Sequence, residues 1–98
     1  MSAFEQTPKQ IEMLSAVEQL VEVVAQLRSP DGGCPWDLAQ TPETLISFVI
    51  EEAYETVDAI RSGDSTAICE ELGDLLLQVV LQAQIASETN QFDLQTVA

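Results

Sequence analysis

The sequence predicts an all-α domain, a helical bundle, and three observations predict it. Apolar residues return at intervals of three and four along most of the chain, and no useful length alternates at strand period. Proline and glycine number four each, and four of these eight residues (Pro30, Gly32, Gly33, Pro35) crowd into one loop. Thr7-Pro8 and Thr41-Pro42 each set an N-cap residue before a proline that suits a first helical turn. The 98 residues suffice for one domain and not two.

The elements follow in order. A first helix is expected from about Pro8 to Leu27, where Ile11, Leu14, Val17, Val21, Val24 and Leu27 make one apolar stripe. Residues 28–41 read as a loop, because SPDGGCPWD carries two prolines and two adjacent glycines. A second helix is expected from about Pro42 to Arg61, with Glu43 favourable in its first turn. Ser62-Gly63 ends it, and Asp64 or Ser65 caps a third helix reaching about Glu88. Thr89-Asn90 breaks that helix, and Asp93 is placed to cap a short element in the tail, residues 89–98. The short link between the second and third helices predicts an antiparallel hairpin.

Composition excludes whole classes of chemistry. Three basic residues (Lys9, Arg28, Arg61) face 17 acidic ones, a net charge of −14. Phosphate contacts need Lys or Arg, so neither nucleic-acid binding nor adhesion to an anionic membrane is expected. Without histidine there is no Ser-His or Cys-His nucleophile and no Glu-x-x-His di-iron pattern. Cys34 and Cys69 are too few for a four-thiolate zinc site. With no signal peptide or disulfide framework, they read as reduced thiols of a cytoplasmic protein.

The acids of the hairpin carry the functional question. On the second helix Leu45, Phe48, Glu52, Glu55 and Ala59 share one face, so two carboxylates interrupt a face suited to burial. Val49, Ala53, Val57 and Ile60 form an apolar stripe beside it. On the third helix Ile68, Glu71, Leu75 and Gln78 share a face, with Asp74 beside Glu71 and an apolar stripe of Leu72, Leu76, Val79 and Ala83 alongside. Residues three apart lie about 5–6 Å apart at Cβ, so Glu52/Glu55 and Glu71/Asp74 are two pairs, one on each arm. Two readings stand at this point. The acids form solvated helix faces, or they converge and need a hard divalent cation, because the chain has almost no Lys or Arg to neutralise them.

The residues also carry a resemblance. Glu51-Glu52-x-x-Glu55 followed by Glu71-x-x-Asp74 resembles the EExxE…ExxD signature of the MazG family of nucleoside triphosphate pyrophosphohydrolases. LRSPDGGCPWDLAQT, EEAYETVDAI, ELGDLLLQVVLQAQIA and QFDL are similar to MazG in the same order, covering roughly Val17 to Leu94.

The resemblance implies an all-α fold of the dimeric dUTPase and MazG type, completed by homodimerisation. It implies Mg²⁺-dependent cleavage (Mn²⁺ being an alternative) of a nucleoside triphosphate between the α and β phosphates, giving a monophosphate and pyrophosphate. By motif position Glu52, Glu55, Glu71 and Asp74 are the implied metal ligands, and Glu51 and Glu55 the candidate catalytic carboxylates. Trp36, Arg28 and Gln40 are the candidate substrate contacts. Each has a plainer reading: Trp36 anchoring the loop, Arg28 complementing the C-terminal dipole of the first helix, and Gln40 ordering the loop.

Two departures stand out. Leu38 occupies a position where many family members have Lys. The sequence also stops at Ala98, before the helix and basic KLxRRHPHVF-type segment with which family domains continue, so a truncated domain is expected. The competing expectation is a non-catalytic helical dimerisation module that keeps the family fold.

Overall fold

The computed structural model describes residues 6–98 and is all-helical, with no strand among the described residues. Helix α1 (Pro8–Leu27) begins with a reciprocal cap. The Thr7 hydroxyl accepts from the Gln10 amide, and the Gln10 side chain accepts from the Thr7 amide. The following loop holds a one-turn helix, α2 (Pro35–Leu38), with Pro35 in its first turn. The long antiparallel pair is α3 (Ile46–Ser62) and α4 (Ser65–Glu88). Helix α5 (Leu94–Val97) closes the chain, with Asp93 accepting from the Thr96 amide.

The regular part of α3 starts four residues later than the sequence suggests. Thr41 and Thr44 cap each other, each hydroxyl accepting from the other's amide at 2.9 and 3.2 Å. This reciprocal cap stabilises a turn over residues 42–45, closed by an Ile46 N–H to Glu43 carbonyl bond of 3.2 Å. The cap signal is real, but it starts a turn that only then becomes a helix. The loop likewise differs from plain coil, because Pro35 nucleates α2 within it.

Gly63 and Asp64 alone join α3 to α4. Gly63 sits in the left-handed region (φ 75°), and the Asp64 carboxylate accepts from the Thr66 amide at 3.0 Å. In the loop, Gly33 answers a close approach. A Cβ there would meet the Ser29 carbonyl oxygen at 2.3 Å, so the turn that returns Cys34 to the Leu27 carbonyl needs glycine.

Helix α4 is the hub. Val80, Leu81 and Ile85 pack with Val24 of α1 and with Leu45, which is wholly buried. Leu20, Val21, Phe48 and Leu94 press on this cluster from α1, α3 and α5. The α1 stripe is therefore used only in part. Its C-terminal half packs on α4, whereas Ile11, Leu14 and Val17 are exposed.

Candidate metal centre

The hairpin sorts its residues into an inner and an outer face. On α3, Leu45, Thr56 and Ala59 are buried, and Phe48 and Glu52 are half-buried with them. On α4, Gln78 is buried, and Ile68, Glu71 and Leu75 are half-buried. Both acid-bearing faces thus turn inward, toward each other. The stripes beside them turn outward, Val49, Ala53, Val57 and Ile60 on α3 and Leu72, Leu76 and Val79 on α4 being exposed, except that Ala83 at the end of the α4 stripe is buried.

This arrangement brings three of the predicted ligands together. Glu52, Glu55 and Glu71 each offer a carboxylate oxygen within 4.8 Å of the others. Asp74 lies outside that group of three and is exposed, although its charge still acts on Glu52 and Glu71. Glu51 is exposed beside the cluster. Asp58 and Glu70 are exposed helix-surface acids.

The electrostatics express how poorly the cluster is compensated. Burial, then the Glu55, Glu52 and Asp74 carboxylates, push Glu71 up to about 7. Burial, then Glu55 and Asp74, also raise Glu52. One carboxylate oxygen of Glu52 and one of Glu71 are buried with no hydrogen-bond partner. No Lys or Arg reaches them, because the one ion pair among the described residues joins Arg28 to Glu88. An all-oxygen set with orphaned buried oxygens and surplus negative charge fits a hard divalent cation.

Two residues at this site are invisible to motif reading. The buried Thr56 hydroxyl donates to the Glu52 carbonyl at 2.7 Å and approaches the Glu71 carbonyl at 3.3 Å, spanning the two arms at the level of the acids. Its position on the Glu52 face was the available signal. Beyond the acids, Val49, Leu75, Val79 and Phe92 line an apolar cleft of about 240 Å³. Gln78 also borders this cleft, and its Oε1 is buried without a partner.

The predicted substrate contacts engage the loop and its neighbours, not the three acids. Trp36 is half exposed and meets Phe48 edge-on, with ring centroids 5.7 Å apart. Phe48 precedes Glu52 by one turn on the same face of α3. Gln40 donates to the Trp36 carbonyl and accepts from the Thr44 hydroxyl, so its side chain orders the loop. Arg28 forms a bidentate pair with Glu88 and donates to the Asp37 and Gln40 carbonyls.

Residues 40–98, which hold the whole acidic hairpin, match the MazG nucleotide pyrophosphohydrolase domain. The chain belongs to the MazG family. It is 44% identical over 80 residues to a nucleoside triphosphate pyrophosphohydrolase of Escherichia coli K12, covering 82% of this chain and 30% of that protein. A nucleoside triphosphate pyrophosphohydrolase/pyrophosphatase MazG of Thermotoga maritima is 49% identical over 80 residues, covering 82% and 31%. A nucleoside triphosphate pyrophosphohydrolase of Mycobacterium tuberculosis is 45% identical over 74 residues, covering 76% and 23%. This MazG chain therefore spans under a third of the length of these relatives. The all-helical architecture agrees with the family's all-α fold, and no described helix is long and apolar enough to cross a membrane.

Proposed function

We propose that this MazG chain carries the catalytic site of a Mg²⁺-dependent pyrophosphohydrolase that converts a nucleoside or deoxynucleoside triphosphate and water to the monophosphate and pyrophosphate. The observation that carries the reading is the convergence of Glu52, Glu55 and Glu71, with two buried oxygens unpartnered, on the hairpin that defines the family. The names of the relatives supply the substrate class.

Glu52, Glu55 and Glu71 would hold the ion, with Asp74 beside them as a fourth carboxylate. A bound Mg²⁺ or Mn²⁺ supplies charge neutralisation between carboxylates and triphosphate and lowers the pKa of coordinated water. The remaining work falls to the chain. Water attacks the α-phosphorus, and the bond from that phosphorus to the oxygen bridging the β-phosphate breaks. Glu55, open to solvent, accepts the water proton, and Glu51 beside it orients the water. Trp36, half exposed above the same face of α3, is the proposed contact for the base, and Gln40 holds its loop.

The outward apolar stripes of α3 and α4 support a homodimer as the working form. They also suit the second reading, a non-catalytic helical dimer, which is favoured by the lack of any free cation at the cluster to receive a triphosphate. Measuring pyrophosphate release from a panel of ribo- and deoxyribonucleoside triphosphates with Mg²⁺ separates the two. The enzyme reading expects turnover, at least a hundredfold lower by rough expectation for Glu52→Ala or Glu71→Ala, since removal of a ligand or an electrostatic stabiliser has effects of that order. Absence of turnover for every triphosphate in wild type sinks it in favour of the dimer module.

A further inference from the structure

The guanidinium of Arg28 is committed within the chain. Its Nε and Nη2 donate to the two carboxylate oxygens of Glu88 at 2.9 and 2.7 Å. Its Nη1 donates to the carbonyls of Asp37 and Gln40. Four of the five guanidinium N–H groups are thereby used, and the side chain is 8% exposed. The carbonyls it satisfies lie at the end of α2 and just beyond, and whereas that of Asp37 also accepts from the Gln40 amide, that of Gln40 has no backbone partner. One side chain thus ties together the end of α1, the loop that carries Trp36, and the last residue of α4.

We infer that Arg28 and Glu88 form a latch that holds the 29–41 loop, and so places Trp36 against Phe48 for the nucleotide, with Arg28 a positioning residue and not a phosphate contact. The inference rests on the pyrophosphohydrolase reading for the word nucleotide alone. Freeing Arg28 to meet a phosphate would take from Glu88 its cation, leaving it only the Gln84 amide at 3.4 Å, and would leave the Gln40 carbonyl unpaired, which a half-buried cluster opposes. The latch holds the indole edge-on to Phe48, which itself stands one helical turn before Glu52, about 6 Å along α3 for four residues of rise. Among the described residues the pair is also the one ion pair in a chain of net charge −14: Glu88 is matched, while the acids of the cluster are not.

Trp36 is the sole tryptophan, so its fluorescence reports the loop directly. The experiment compares wild type with Arg28→Lys, which keeps the charge but loses the fork, and with Glu88→Gln, which keeps the shape but loses the charge. Acrylamide, being neutral, quenches without bias from the protein's charge, and circular dichroism checks that the helices remain. Both variants are expected to show red-shifted emission and stronger quenching. KM for a hydrolysed triphosphate is expected to rise several-fold with kcat largely kept. Should Arg28→Lys unfold, Glu88→Gln carries the comparison, because Glu88 is about one-third exposed and tolerates change better. Quenching equal to wild type overturns the latch whatever the activity. A fall in kcat at unchanged KM and quenching also overturns it, since that marks a direct contact with the reacting phosphate. If wild type hydrolyses no triphosphate, the pyrophosphohydrolase reading fails, and the quenching comparison decides the latch by itself.

Discussion

Glu71 shows at the scale of one residue how the site opposes its own fold. Its titration is raised from 4.5 to about 7, so the folded chain keeps a proton there that the unfolded chain has lost. The stability associated with the protonated form is complete below pH 4.5 and is lost as pH rises through about 7. Glu71→Gln removes the charge and nearly keeps the shape. In chelator its melting temperature should match wild type near pH 4 and exceed it by a margin that grows up to about pH 7.5. Millimolar Mn²⁺ should raise the wild-type melting temperature at pH 7.5 and leave Glu71→Gln nearly unmoved. Equal responses of the two proteins would show that Glu71 is no ligand. The spacing of Glu52, Glu55 and Glu71 places them on faces that also carry Leu45, Phe48 and Leu75, which made their convergence one of two readings, and the MazG resemblance singled them out. The engagement of Arg28 was not legible in the sequence. Its partner lies 60 residues away, and no local pattern encodes such a pair.

At the scale of elements, what the sequence encodes locally is what it discloses. The caps at Thr7, Asp64 and Asp93 are short-range hydrogen bonds made by the residue types that favour them. The start of α3 was misjudged because Thr41-Pro42 is a valid cap for a turn as well as for a helix. Only the Thr44 hydroxyl, returning the bond to Thr41, settles the chain into the turn. The α3–α4 link depends on Gly63 in a left-handed conformation. Gly63→Ala is expected to cost about 1–2 kcal/mol, the penalty of placing a Cβ there. Urea unfolding measures it. A loss well under that range would mean that the link relaxes to another turn.

The whole molecule explains why the apolar stripes were legible as patterns but not as packing. For 98 residues a compact chain has a radius of gyration of about 13 Å, whereas this one has 15.5 Å. Ile11, Leu14 and Val17 on α1, and Val57, Ile60, Leu72 and Leu76 on the hairpin, find no cover among the described residues. Exposed apolar area on this scale is what an interface would cover, and the homodimer proposed above would cover it by symmetry. Sedimentation equilibrium is expected to give twice the chain mass at micromolar concentration. Leu14→Lys with Val17→Lys is expected to weaken or abolish the dimer while preserving helix content. A monomeric wild type would refute this reading of the stripes.

The two-residue link through Gly63 and Asp64 has a kinetic consequence. Contacts between α3 and α4 span few residues and close a short loop, so they are cheap in chain entropy and suited to form early on the folding path. The same early contacts bring Glu52, Glu55 and Glu71 together. Their repulsion is then met on the way up the folding barrier and not only at the end. Refolding of wild type in chelator is therefore expected to be slower at pH 8 than at pH 5 and to quicken on adding a divalent cation, as stopped-flow circular dichroism measures; equal rates would show that the acids meet only after the barrier.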